Sequence, residues 1–190
     1  MEPALRPLPD LLRDGLDIAF IGINPSIISA SQGHYFARRT NRFWPCFSRS
    51  TLSIRAREGL GVDMLGPTHD HALLAFGIGF TDIVKRPSAN AAGLGRAEFD
   101  AGAAQLVSKL RRCHPRIACF HGMTAYRPFH RTLMPGSVEH GPELGPQPLM
   151  LGRTQLFVVP NPSPANAHFT PAEQTDWYDR LARRLQTRDP

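Results

Sequence analysis

Cysteine is scarce in this sequence. Cys46, Cys113 and Cys119 are the only three in 190 residues, and no two of them form a C-x-x-C pair. Three thiols cannot supply a four-cysteine zinc or iron–sulfur site, which excludes that class of centre. They read as free thiols buried in a reducing compartment. Lysine is scarcer still: of 22 basic residues, only Lys85 and Lys109 are lysines. A phosphate loop of the Walker type is missing, because the sequence has no G-K-[ST]. No apolar run reaches the roughly 20 residues of a membrane-spanning helix, and no signal peptide is visible. These absences lead to the expectation of a cytoplasmic protein with no membrane partner, no metal and no cofactor.

What is present is a positive balance. The formal net charge is +6 and the isoelectric point is about 9.9. Charge of this sign suits a polyanion, but alone it does not separate nucleic acid from an anionic membrane or from simple solubility. Arginine offers a planar fork of donors matched to phosphate oxygens. A codon bias toward Arg, Ala, Pro and Gly would give the same count. The arginines of residues 38–57 lie among aromatic residues, which favours a role for that group. A length of 190 residues with 42% hydrophobic content fits one domain over 1–190. Such a chain buries roughly 70% of its unfolded surface and needs no disulfide to fold.

Periodicity gives a coarse outline. Residues 1–15 read as a leader with a helical turn at Leu8–Arg13. Leu16–Ile23 is an apolar run that reads as a strand covered on both faces. Residues 24–40 read as a loop and 41–51 as a helix, while 72–76 is ambiguous. Phe99, Ala103, Leu106, Val107 and Leu110 fall on one face of an amphipathic helix. Arg116–Phe120 follows as a second buried strand, then a helix over Met123–Leu133. Leu156–Val159 is a third strand, stopped by Pro160. Thr170, Pro171 and Glu173 spell the start of a C-terminal helix: a cap, a proline at the first position and a capping-box glutamate. The Pro/Gly stretch 135–148 reads as a surface loop. Strands alternating with helices predict the α/β class, as a three-layer αβα sandwich around a mostly parallel sheet. Ligands of such sheets bind beyond the carboxyl ends of the strands, here after Ile23, near Phe80 and after Val159.

Three segments at those places carry unusual residues. Gly22-Ile23-Asn24-Pro25-Ser26 follows the first strand, and Asn24 there fits either an Asx-type turn or a functional amide. Gly33-His34-Tyr35-Phe36-Ala37 leads into Asn41-Arg42-Phe43-Trp44. Aromatics among arginines suit base stacking with phosphate binding, and equally suit an aromatic core with a charged rim. Phe43 and Trp44 are adjacent, so at least one packs in the core, while Phe36 in its glycine-containing loop has the better claim to a ligand. Asp82, in Gly79–Pro87, is either a cap or a carboxylate facing a pocket. Asn161-Pro162-Ser163 follows the last core strand.

In order and spacing, GINPS, GHYFA, NRFW, the block around TDIVK and the final NPS resemble the mismatch-specific uracil/thymine-DNA glycosylases, over about residues 16–185. RIACFHG resembles that family's central strand. A D-P-Y motif, used by other uracil-DNA glycosylases, does not occur. The resemblance implies that Asn24 positions the attacking water and Phe36 stacks on the extruded base. It implies a monofunctional DNA glycosylase that hydrolyses the N-glycosidic bond of uracil in mismatched DNA.

The expected site has Asn24 and Asp82 as catalytic residues, Asp82 from its place near a strand end and not from the resemblance, since the family varies there. Ile23, Ser29, Phe36 and Asn161 bind the base, with Ser29 near its C5 edge. Lys85, Arg42, Ser163, Pro164, Ala165 and Asn166 contact DNA, Lys85 and Arg42 at phosphates. PANA after NPS departs from the bulky wedge of some members. The expected partner of this monomer is double-stranded DNA with a G·U mismatch, in the bacterial cytoplasm at the nucleoid; G·T and single-stranded DNA stay open. Alternatives are a glycosylase for hypoxanthine or etheno adducts, and a non-catalytic mismatch-binding protein.

Overall fold

A computed structural model describes residues 5–136 and 143–187. Five strands form one sheet: β1 (Ile18–Gly22), β2 (Ile78–Asp82), β3 (Ile117–His121), β4 (Gly145–Leu151) and β5 (Thr154–Val159). Their spatial order is β2-β1-β3-β5-β4, with β2, β1, β3 and β5 parallel and β4 antiparallel on the edge. Around the sheet lie α1 (Ile27–Gln32), α2 (Phe43–Arg49), α3 (Ile54–Leu60), α4 (Arg96–Cys113), α5 (Met123–Leu133) and α6 (Pro171–Gln186).

Strand alternation divides the core in two. Ile18, Phe20, Ile117, Cys119, Phe157 and Val159 point to one face and meet α2, α3 and α6 through Phe43, Phe47, Ala56 and Tyr178. Ala19, Ile21, Ala118, Phe120, Leu156 and Val158 point to the other and meet α4 and α5 through Leu106, Leu110, Tyr126 and Phe129. Both faces are covered, so the strands read as continuous apolar runs. The expected three-layer αβα sandwich is the fold observed.

Three local expectations need correction. The leader forms no helical turn at Leu8–Arg13: Leu11 instead exchanges two backbone hydrogen bonds of 2.9 Å with Phe80, extending the sheet past β2. Gly79 permits this approach, because a β-carbon there would overlap the Leu11 carbonyl. Second, the 24–40 loop contains α1, whose cap Ser26 accepts the Ser29 N–H. Third, the stretch 135–148 is not all surface loop. β4 begins at Gly145 and carries Pro146 and Pro148 on exposed positions, a placement that an edge strand tolerates. Residues 137–142 of that stretch lie outside the described residues. The expectation that at least one of Phe43 and Trp44 packs in the core is met by both, so neither is left for a ligand.

The chain leaves β1 toward β2 on one side and returns to β3 on the other. Neighbouring connections therefore diverge at the carboxyl end of β1, which opens a crevice there.

Candidate active site

The crevice is a cleft of about 150 Å³. That is smaller than the roughly 300–1,000 Å³ of pockets for drug-sized ligands and suits a single small ring. It is built at strand ends. β1 delivers Gly22, Ile23 and Asn24, β2 ends on Asp82, β3 ends on His121, and Asn161 stands two residues beyond β5.

Asn24 is held in one orientation. Its Nδ2 donates to Ser88 Oγ at 2.8 Å and to the Arg86 carbonyl at 3.1 Å, with the Pro25 carbonyl also at 3.1 Å. Both amide hydrogens are engaged, so Oδ1 is the polar atom left to the cleft. A carbonyl oxygen accepts a hydrogen bond and can hold a water by one of its protons.

Asp82 is 4% exposed, and its Oδ2 has no hydrogen-bond partner among the described residues. Oδ1 lies against Gly22, its partner in the β1–β2 register. Burial lifts the carboxyl to about 7, with Asp10 adding to the lift and the charges of Lys85 and Lys109 opposing it. A carboxylate so placed exchanges a proton near neutrality, as a general base requires.

Phe36 adopts φ 54°, which a residue with a β-carbon rarely does. Its neighbours fix it there. The Tyr35 N–H donates to Asp70 Oδ2 at 2.9 Å and the Ala37 N–H to Ser29 Oγ at 3.1 Å. One face of the Phe36 ring stacks on Phe43 at 4.4 Å, and His121 meets it edge-on at 5.1 Å. Phe36 also lines the cleft.

Ser29 lines the cleft, but its Oγ is occupied: it takes the Ala37 N–H and lies 3.0 Å from Ser26 Oγ. Asn161 Oδ1 accepts the Ser163 N–H at 2.9 Å, and the Asn161 carbonyl accepts Asn166 Nδ2 at 3.0 Å. These bonds shape the loop that follows β5, leaving Pro164 and Ala165 exposed at its tip.

Two cations expected at phosphates have partners within the protein. The Arg42 guanidinium donates to the carbonyls of Ser163, Asn166 and Phe169, so it clamps this loop from behind. Lys85 turns inward, donating to Asp10 Oδ1 at 2.8 Å and to the Tyr35 hydroxyl at 3.2 Å. Both cations are thus engaged inside the protein. Arg38, exposed and lining the cleft mouth, is better placed for a phosphate.

Thus Ile23, Asn24, Ser29, Phe36, Asp82, Asn161, Ser163 and Pro164 meet in one cleft, Ala165 and Asn166 continue its rim, and Arg42 and Lys85 stand behind it. Sequence reasoning missed His121, Ser88 and Asp10. His121 closes an apolar strand with a polar residue, a signal of the same kind as Asn24. It is 1% exposed, and burial pushes its imidazole down to about 3, slightly opposed by the Ile21 backbone. The ring is therefore neutral, with Nε2 3.1 Å from the Tyr178 hydroxyl.

Comparison with known proteins bears on the fold and the family. A solution NMR structure from Methanosarcina acetivorans, provisionally described as a uracil DNA glycosylase, shares the fold with a TM-score of 0.56 and 21% identity, covering 97% of this chain and 99% of that one. The family model of the uracil DNA glycosylase superfamily matches residues 9–185. A match over nearly the whole chain establishes membership: this protein is a DNA glycosylase belonging to the uracil DNA glycosylase superfamily.

Proposed function

We propose that the protein is a monofunctional glycosylase of the mismatch-specific uracil/thymine branch, acting on uracil in double-stranded DNA opposite guanine. The observation that carries this reading is the Asn24 amide. Its nitrogen is tethered by Arg86 and Ser88 and its oxygen is left to a cleft that also holds the Asp82 carboxylate.

A base inside a duplex is out of reach, so it is extruded, at a cost of a few kcal/mol. A G·U mispair lowers that cost. The loop 161–166 enters the vacated stack through Pro164 and Ala165, and uracil stacks on Phe36 where it lines the cleft. The C1′–N1 bond breaks with oxocarbenium character, its electron pair leaving on uracil, which takes a proton from solvent. Water held at Asn24 Oδ1 adds to C1′ and passes a proton to Asp82. An amide is a weak base, so Asn24 acts by position and Asp82 by charge and proton acceptance. Lys85, bonded to Asp10, is not available as a nucleophile, which supports a product with an intact abasic sugar. The protein acts as a monomer in the cytoplasm.

The test is single-turnover release from oligonucleotides containing G·U, A·U, G·T and single-stranded U, with hypoxanthine and etheno bases alongside. Release fastest from G·U is expected. Preference for hypoxanthine or an etheno base would move the protein to another branch, and tight mismatch binding without release would make it a sensor.

A further inference from the structure

The protein's two lysines converge on one carboxylate. Asp10 Oδ1 accepts Lys85 Nζ at 2.8 Å and Thr81 Oγ1 at 2.6 Å, while Oδ2 meets Lys109 Nζ at 2.7 Å. All three charged side chains are only 20–25% exposed. They come from the N-terminal segment, the turn after β2 and α4, so this meeting is built by the fold and not by sequence proximity. Two ammonium groups against one carboxylate leave a net charge of +1. Thr81, which hydrogen-bonds the cluster, directly precedes Asp82 on β2.

A buried carboxylate with an unpartnered oxygen would ordinarily protonate. The groups facing Asp82 can be named element by element. β1 presents only the backbone of Gly22, and β3 presents the neutral His121. The loop after α1 presents the Tyr35 phenol, whose hydroxyl accepts from Lys85 and donates to the Pro9 carbonyl. Arg38 stands exposed in the same cleft, and the charges acting on Asp82 from behind are Lys85, Asp10 and Lys109.

We propose that Asp10, Lys85 and Lys109 are positioning residues whose net positive charge holds Asp82 ionised, so that a triad touching no substrate sets the pH range of base release. This rests on the catalytic role assigned to Asp82 above. A carboxylate gains or loses about 1–3 pH units in its titration from a charge within reach, which makes the two partners separable by sign. Lys109→Met removes a positive charge and should move Asp82 to higher pH. Asp10→Asn unmasks both lysines and should move it to lower pH.

The test is a ¹³C NMR titration of the Asp82 carboxyl carbon, assigned with Asp82→Asn, in the wild type and both variants, with single-turnover release measured across the same pH range. Opposite displacements of about one pH unit or more, followed by the release profiles, are expected. Lys109→Arg, which keeps the charge, should retain the wild-type titration; if Lys109→Met does not fold, Lys85→Met removes a charge of the same sign. An Asp82 titration that stays in place, or moves the same way in both variants, overturns the proposal. A wild type that releases no base would overturn the proposed function instead, and the NMR titration would still decide the triad.

Discussion

Gly22 and Asp82 face each other in the register of β1 and β2, and Oδ1 of Asp82 fills the space that a β-carbon on residue 22 would need. The glycine of G-I-N-P is thus required by a carboxylate 60 positions away. Gly22→Ala should push Asp82 from its place, destabilising the protein by about 1–3 kcal/mol, as overpacked sites do. Release should fall by about 10²-fold, the cost of a misplacement near 1 Å. Thermal unfolding with single-turnover kinetics checks both; a variant with wild-type values in each would detach Gly22 from the site.

Asp82 should weaken the fold that holds it. Its carboxyl titrates near 7 in the folded protein against a reference of 3.8. Between those values the native state binds more protons than the unfolded state, so stability falls as pH rises through this window and the full cost is present above it. Asp82→Asn should therefore stabilise the protein by about 2–4 kcal/mol at pH 8 and by almost nothing at pH 3. It should also slow release by about 10²–10⁴-fold and erase the rise of rate with pH near 7. Denaturant unfolding at both pH values tests the first claim. Equal stability of the two proteins at pH 8 would show that the carboxyl is not held against its preference.

Asn24→Ala should slow uracil release by about 10²–10⁴-fold while leaving affinity for duplex DNA nearly unchanged, because in the proposed mechanism the amide holds water and not the helix. Single-turnover rates within threefold of the wild type would remove Asn24 from the chemistry. Asn24→Asp is the informative companion. It keeps the shape but removes the donors that Arg86 and Ser88 hold, so it should fail to restore the full rate.

Ser29→Ala separates two roles. The hydroxyl accepts the Ala37 N–H, next to the left-handed Phe36. Leaving that buried amide unpaired costs about 1–3 kcal/mol and should slow G·U and G·T alike. If thymine release improves relative to uracil, the serine is instead reading the C5 edge of the base. Matched G·U and G·T duplexes decide between them.

The legible parts of this protein were those encoded locally. Leu16–Ile23, Arg116–Phe120 and Leu156–Val159 are buried on both faces, and continuous burial leaves a continuous apolar record. The Thr170–Glu173 box announces α6 for the same reason, since both partners lie within one turn. β4 hid behind Pro146 and Pro148 because an edge strand needs only one row of backbone hydrogen bonds. In the cleft, strand-end residues such as Asn24 and Asp82 could be read, because polar groups beside apolar strands are conspicuous. Asp10 could not. Its role exists only once Leu11 has paired with Phe80 and brought the leader to Lys85 and Lys109. Arg42 looked like a phosphate ligand for a related reason: a sequence shows a cation but not the direction in which it points.

That direction has a consequence for how the enzyme can diversify. Arg42 clamps the loop after β5 through the carbonyls of Ser163, Asn166 and Phe169. Every amino acid carries that carbonyl, so the clamp is blind to which side chains the loop displays. Pro164 and Ala165, exposed at the tip, can be replaced without loosening what holds them in place. With the loop entering the stack as proposed, a lineage, or an engineer, could exchange a small plug for a bulky one and alter which opposing base is tolerated while the catalytic scaffold stays as it is. The loop behaves as an interchangeable tool in a fixed handle.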